Sequence, residues 1–349
     1  MLPKEIIANI SSYMHSYNLK LLNKEILKEI ELEEKSDEWY EIYKKYFKFN
    51  KITIPYLKGN YNWKEEYLRI VKYEFWHLFK EENLNEKINL DLRERKINSL
   101  PKEIGNLNKI TMLDISCNGI KQLPEELWNL VNLIEINLMA NRIEKISEKI
   151  GDLVNLKIID FTGNKIKYLP KEIEKLIELK ILYMIETRLK IIPRQIGNLI
   201  NLKKIYISRG NIQKIPKELC NLVNLKKLTI CRNKIKVIPK EIENLKNLFY
   251  LELFENEIEE IPKELCNLIH LKELNLSGNK INHIPQKIGK LINLESLFVA
   301  RNEIKVLPKE IGNLINLENF NYDEDKILNV PKEINNMNLK VNFFSDCYL

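Results

Sequence analysis

Long apolar segments are missing from this chain of 349 residues. No run approaches the 18 or more consecutive apolar residues that identify a candidate membrane-spanning helix. The first residues also lack the positively charged stretch followed by an apolar stretch that marks a secretory signal peptide. We therefore expect a cytoplasmic protein that does not bind a membrane.

Cysteine, histidine and glycine are scarce, with 5, 4 and 10 residues respectively. The cysteines form no cluster that could close a disulfide-bonded cap, which fits a reduced compartment. The histidines have no cysteine or carboxylate at metal-ligand spacing, and the chain has no glycine-rich phosphate loop. These absences argue against an enzyme, and we expect no cofactor, no metal and no catalytic residue.

The positive charge of the chain is spread along its length. The net charge is +7, but lysine and glutamate alternate throughout the sequence. A nucleic-acid-binding protein would gather its basic residues on one face together with stacking aromatic residues. We therefore do not expect a nucleic acid as the partner.

What the sequence does contain is a unit of 23 residues, repeated eleven times in register. One apolar column runs from Leu90 and Leu113 to Phe320, and a second lies two residues further on, from Leu92 to Tyr322. Alternate apolar residues of this kind predict a short strand with two side chains on one face. A fixed period of this size predicts a solenoid, and solenoids mostly serve as binding surfaces.

Two further columns indicate how each unit turns. An asparagine follows the strand in most units, and its amide can both donate to and accept from the backbone of its own turn and of the adjacent turn. Thr187 and Gly210 replace it in two consecutive internal units, so we expect an irregularity near residues 185–212. A proline opens the second half of every unit except one, where Ser147 stands, and it predicts the start of a short helical or 3₁₀ turn.

The unit, which Leu271–Leu291 shows in full, resembles the short proline-containing class of leucine-rich repeats. That resemblance implies an α/β fold, in which a curved parallel sheet forms the concave side of a solenoid and short helical turns form the convex side. It also implies that the concave face recognises a protein partner.

The strand residues that flank the buried pairs should point to the concave face. Exposed aromatic and apolar residues there have no structural role and are the residue types that anchor interfaces. The residues that we predict to contact a partner are Tyr183, Ile185, Tyr206, Arg209, Arg232, Tyr250, Phe254 and Phe298. The alternative is that aromatic and β-branched residues stand there because they suit strands.

The first 86 residues do not follow the repeat and have a helical, aromatic pattern. Their start, Leu-Pro followed by Glu5, Ile6 and Ile7 and then by Ile10 and a Ser-Tyr-Met helix end, resembles an F-box. That resemblance implies binding to a Skp-family linker of a cullin ubiquitin ligase, through Leu2, Pro3, Ile6 and Ile10. The alternative is a helical cap that covers the apolar end of the first coil.

These patterns divide the chain into residues 1–45 (F-box-like), 46–86 (aromatic-rich helical linker or cap), 87–339 (eleven repeats) and 340–349 (C-terminal cap). Two functions stay open: a substrate adaptor of a cullin-type ubiquitin ligase, and a stand-alone signalling scaffold in which residues 1–86 are only a cap. We expect a monomer. The Lys-, Ile- and Asn-rich composition, with the F-box-like start, is similar to that of proteins of giant DNA viruses, which would place the chain in the host cytoplasm.

Overall fold

The computed structural model of the protein describes residues 88–337 and residue 339. Segments 1–45, 46–86 and 340–349 of the predicted organisation, with Leu2, Pro3, Ile6 and Ile10, lie outside the described residues. The described part confirms the predicted repeat fold, since every unit forms one coil with a strand on one side and a short helix on the other.

The strands form one parallel sheet in strict sequence order. They are β1 (Asn89–Asp91), β2 (Met112–Asp114), β3 (Glu135–Asn137), β4 (Ile158–Asp160), β5 (Ile181–Ile185), β6 (Lys204–Ser208), β7 (Lys227–Cys231), β8 (Tyr250–Glu252), β9 (Glu273–Asn275), β10 (Ser296–Phe298) and β11 (Asn319–Asn321). Leu90 pairs with Leu113, and each later strand keeps the same register of 23 residues. The predicted apolar columns therefore stack into one continuous core, and Leu113, Ile136 and Ile159 have no more than 1% of their surface exposed.

The opposite side of each coil carries a 3₁₀ helix of five residues. These helices are Lys102–Asn106, Glu125–Asn129, Glu148–Asp152, Lys171–Lys175, Arg194–Asn198, Lys217–Asn221, Lys240–Asn244, Lys263–Asn267, Gln286–Lys290 and Lys309–Asn313, followed by a shorter one at Glu324–Lys326 and by α1 (Lys332–Asn335). The predicted proline lies at the N-cap of nine of the ten longer ones, for example Pro216 with φ −66°. Ser147 adopts the same backbone geometry, and its side chain accepts a hydrogen bond from the Lys149 amide.

The inner asparagines, one after each strand, bond as the sequence predicted. Asn279 Oδ1 accepts from the amide of Ile258 in the preceding coil at 3.0 Å. Its Nδ2 donates to the carbonyl of Leu253 in that coil at 3.0 Å and to that of Leu276 in its own coil at 2.9 Å. A buried amide thus satisfies backbone groups of two coils at once.

The irregularity expected near residues 185–212 is present. Thr187 makes only one of the inner-asparagine bonds, to the carbonyl of Met184. A side chain at Gly210 would meet Asn233 Oδ1, since a Cβ atom there would be only 2.8 Å away. Strands β5, β6 and β7 around these units are five residues long, whereas the other strands have three.

A second row of asparagines, which we call the edge asparagines, joins the coils on their outside. Each donates through Nδ2 to the carbonyl 24 residues earlier, at 2.7–3.0 Å; they are Asn132, Asn155, Asn201, Asn224, Asn247, Asn293 and Asn316. The residue before each is exposed and, except for Lys246, apolar, such as Ile200 and Val223. The edge asparagines therefore hold a row of exposed β-branched side chains in fixed register.

Candidate protein-binding site on the concave face

The concave face consists of the strand side chains that point away from the core. Its central column is set by the strand register, in which Asp160 pairs with Tyr183 and Tyr183 pairs with Tyr206. The column continues through Thr229 and Glu252. Sequence periodicity alone predicted this placement, and the structure confirms it.

The middle of this face carries a pair of stacked tyrosines. The rings of Tyr183 and Tyr206 are nearly parallel, at 8°, with their centroids 4.9 Å apart. Ile181 and Ile185 lie on the same strand as Tyr183 and are half-buried on the same side. Burial raises the pKa of both tyrosine hydroxyls, which keeps them neutral hydrogen-bond donors at physiological pH. The result is a flat aromatic and aliphatic surface with two hydroxyl groups.

Two of the predicted contact residues are less accessible than the sequence suggested. Only 9% of Tyr206 and 7% of Phe254 is exposed, so the expectation of exposed rings is wrong for these two. The Lys227 ammonium lies 5.6 Å from the centroid of the Tyr206 ring, and the Arg232 guanidinium lies 5.7 Å from that of Phe254. Long cationic side chains from the next coil or the same coil therefore cover rings that the alternation of a strand would leave open.

The other predicted contact residues are accessible to different degrees. Tyr250 is 38% exposed, and Tyr183, Ile185 and Phe298 are half-buried. Phe298 lies on β10, five strands away from Tyr183 on β5, so the predicted set does not form one patch. The structure brings together Tyr183, Ile185 and Tyr206.

The predicted arginines leave the strands through a turn with a left-handed backbone. Arg209 has φ 53° and Arg232 has φ 54°, and the equivalent residue of most other coils also has a positive φ. Arg209 forms an ion pair with Glu186, and Arg232 forms one with Glu255 at 2.9 Å. Their charges are therefore already partnered within the protein, which sequence reasoning did not anticipate.

Sequence reasoning also missed a buried ion pair beside the tyrosines. Lys227 Nζ lies 2.7 Å from Glu252 Oε1, and Thr229 Oγ1 donates to Glu252 Oε2 at 3.0 Å. Glu252 is only 5% exposed. Burial lowers the pKa of Lys227, but the hydrogen bond and negative charge of Glu252 outweigh it, and the net pKa is raised. Because the two charges stabilise each other, Lys227 holds the surface together.

The sides of the tyrosine pair differ in charge. Towards β1 the central column is acidic, and burial raises the pKa of Asp160 above its ordinary value. Towards β11, burial and the neighbouring Glu252 raise the pKa of Glu273. Among residues 88–337, no group of three or more His, Cys, Asp or Glu side chains is arranged to hold a metal ion. In the same part of the chain, no helix has the length and apolar character needed to cross a membrane.

Comparison with known proteins identifies the repeat. The sequence profile described as a leucine-rich repeat region matches residues 125–234 and 263–340, more than half of the chain. The chain belongs to the leucine-rich repeat family. Members of this family are in general binding modules rather than enzymes. No curated protein matches the sequence significantly.

Solved leucine-rich repeat structures are similar to this one in fold. A TDR receptor is 26% identical with a TM-score of 0.67, over 74% of this chain and 47% of that receptor. The ectodomain of the Arabidopsis thaliana receptor kinase GASSHO1/SCHENGEN3, in complex with CASPARIAN STRIP INTEGRITY FACTOR 2, is 25% identical with a TM-score of 0.56, over 68% of this chain and 33% of that chain. The plant peptide hormone receptor RGFR1, in complex with RGF2, is 29% identical with a TM-score of 0.52, over 64% and 46%. This chain therefore spans half or less of those receptors, two of which bind peptide or protein ligands.

Proposed function

We propose that the concave face binds a protein partner and that the tyrosine pair is the centre of this interface. The observation that carries the proposal is the continuous surface of Tyr183, Tyr206, Ile181 and Ile185, whose side chains lie outside the core. Aromatic rings that are rigid and flanked by aliphatic side chains bury much area at little entropic cost. The peptide-bound receptors of the same fold support this use of the family.

Site-specific photo-crosslinking tests this proposal. A benzophenone amino acid replaces Ile185 on the concave face or Lys263 on the opposite side of the coil, in a eukaryotic cell that expresses the full chain. We expect a discrete protein adduct from position 185 that is absent from position 263. The adduct should disappear when Tyr183→Ala and Tyr206→Ala are added to the crosslinker at 185. Adducts that persist in that variant, or equal adducts from both positions, would place the interface elsewhere.

We further propose that the chain acts in the cytoplasm as a substrate adaptor of a cullin-type ubiquitin ligase. The F-box-like sequence of Leu2, Pro3, Ile6 and Ile10 supports this role, since it would recruit a Skp-family linker while the repeats hold a substrate. A pull-down of the purified protein with that linker, beside the variant Leu2→Ala, Pro3→Ala, Ile6→Ala, tests it. Loss of binding in the variant supports an adaptor. Failure of the intact protein to bind leaves the stand-alone scaffold, with residues 1–86 as a cap.

A further inference from the structure

Four consecutive coils place a lysine at the same position, just before the strand. We call Lys157, Lys180, Lys203 and Lys226 the lysine ladder. The amide of Lys180 donates to the carbonyl of Lys157 at 2.8 Å, that of Lys203 to Lys180 at 2.8 Å, and that of Lys226 to Lys203 at 2.8 Å. Neighbouring lysines are thus one strand spacing apart, about 4.8 Å between backbones.

The lysine ladder has no internal counter-charge. In the described part of the chain, no carboxylate forms an ion pair with any of its four members, nor with Lys204 on β6 next to it. Lys203, Lys204 and Lys226 are exposed, whereas Lys157 and Lys180 are partly exposed. Like charges on directly opposed residues of a sheet destabilise it, so these side chains cost the free protein stability.

The same column shows that the fold could have neutralised this charge. Further along the array, Lys272 is followed one coil later by Glu295, and the two form an ion pair at 2.7 Å. A lysine and a glutamate on successive coils are therefore geometrically compatible. The unneutralised ladder is confined to the coils of β4–β7, which also carry the tyrosine pair.

We infer that the partner bound at the tyrosine pair presents an acidic segment to the lysine ladder. This inference rests on the proposed binding function of the concave face and names the chemistry of its partner. Three spacings of about 4.8 Å span roughly 14 Å, which matches four to five residues of extended chain. Carboxylates of such a segment neutralise the ladder, while a neighbouring apolar side chain packs on Ile181 and Tyr183.

An acidic peptide fits this surface better than a nucleic acid does. The ladder is narrow and is bordered by exposed apolar residues, Ile177, Ile200 and Val223, rather than by further cations. The rings beside it are stacked on each other, so each has one face occupied by its neighbour. A single-stranded nucleic acid would need open aromatic faces on which its bases could stack.

Fluorescence anisotropy of the full-length protein tests the inference. The probe is a labelled eight-residue peptide of six glutamates with one tryptophan and one leucine, and its analogue has glutamine in place of glutamate. We expect the glutamate peptide to bind at least tenfold more tightly than the analogue. We also expect the affinity to fall several-fold between 50 and 300 mM NaCl, because the contacts are ionic. Absence of binding by the glutamate peptide would overturn the inference.

Matched charge reversals locate the binding. The variant Lys180→Glu, Lys203→Glu, Lys226→Glu should weaken peptide binding at least tenfold. The control Lys217→Glu, Lys240→Glu, Lys263→Glu changes the net charge equally on three exposed positions of the 3₁₀ helices, and its affinity should change less than twofold. The milder variant Lys180→Gln, Lys226→Gln serves if the triple reversal fails to fold. Equal losses in ladder and control variants would contradict the inference.

Two further arms separate the alternatives. A twelve-residue oligodeoxythymidylate that binds as tightly as the glutamate peptide, and is lost in the ladder variant, would make the ladder a polyphosphate site and overturn the inference. The adduct formed at position 185 provides the second arm. If it survives the ladder reversal but not the tyrosine substitutions, the proposed function stands and the acidic partner is excluded. Loss of the adduct in both variants supports both proposals.

Discussion

At the scale of the single residue, asparagine does two different jobs in this protein. The inner asparagines are buried, and each connects backbone groups of two coils that water cannot reach. The edge asparagines Asn224 and Asn316 are exposed and make one bond each, to a carbonyl of the preceding coil. Since an unmade hydrogen bond costs much more in the interior than at the surface, the two rows should differ in energetic weight.

Alanine substitution distinguishes the two rows. Asn279→Ala leaves the Ile258 amide and two carbonyls without their partner, so we expect a loss of about 2–4 kcal/mol in the free energy of unfolding. Asn224→Ala removes one exposed bond and should cost about 0.5–1 kcal/mol. Urea denaturation followed by circular dichroism measures both. Equal costs would show that burial does not determine the contribution of these amides.

At the scale of the element, the 3₁₀ helices share a common start. Proline suits that position because its fixed φ of about −65° is the φ that the N-cap residue adopts. Ser147 holds φ −67° and ψ 150° without a ring, and its side chain makes a bond of 3.3 Å to Lys149 and one of 2.9 Å to Glu125. The remaining helices show that proline at this position does not need these bonds.

Replacing this serine tests how the start of the helix is stabilised. Ser147→Pro restricts the unfolded chain and fits the observed backbone, so we expect a gain of about 0.5–1 kcal/mol in the free energy of unfolding. Pro170→Ser at the next coil should lose a similar amount. The denaturation midpoints of the two variants are compared with that of the parent. A loss of stability in Ser147→Pro would mean that the two side-chain bonds outweigh the restriction of the unfolded chain.

The elements were predictable from sequence, whereas the accessibility of individual side chains was not. The period fixes which residues are neighbours, so the strand register, the turn at each proline and the inner asparagines follow from counting. Whether Lys227 extends into solvent or folds over Tyr206 is a choice among side-chain rotamers, which the period does not determine. The same holds for Arg232 over Phe254. The lysine ladder did carry a signal, because lysine recurs every 23 residues from Lys157 to Lys226.

At the scale of the whole molecule, charge is distributed against stability. The concave side of the coils of β4–β7 gathers lysines, while elsewhere a lysine finds a glutamate on the next coil, as Lys272 does with Glu295. A surface that binds a charged partner often retains repulsion that a purely structural surface would remove. The free protein should therefore be less stable than its fold allows.

Neutralising part of the ladder tests this cost. Lys180→Gln, Lys226→Gln reduces the repulsion between adjacent coils, so we expect the free protein to gain about 0.5–1 kcal/mol at low ionic strength. Because salt screens the same repulsion, the gain should shrink between 20 and 500 mM NaCl. Urea denaturation at both salt concentrations gives the comparison. An unchanged midpoint at 20 mM NaCl would show that the ladder exerts no strain on the sheet.

The strict sequence order of the sheet has a mechanical consequence. Each strand bonds only to the strands before and after it along the chain, so a pulling force on one end of the array loads the outermost coil first. Detaching one coil releases 23 residues, or about 80 Å of extended chain, and leaves the next coil as the new end. The repeat region would lengthen in such steps under tension, like a tether that pays out one turn at a time and rewinds when the load is removed.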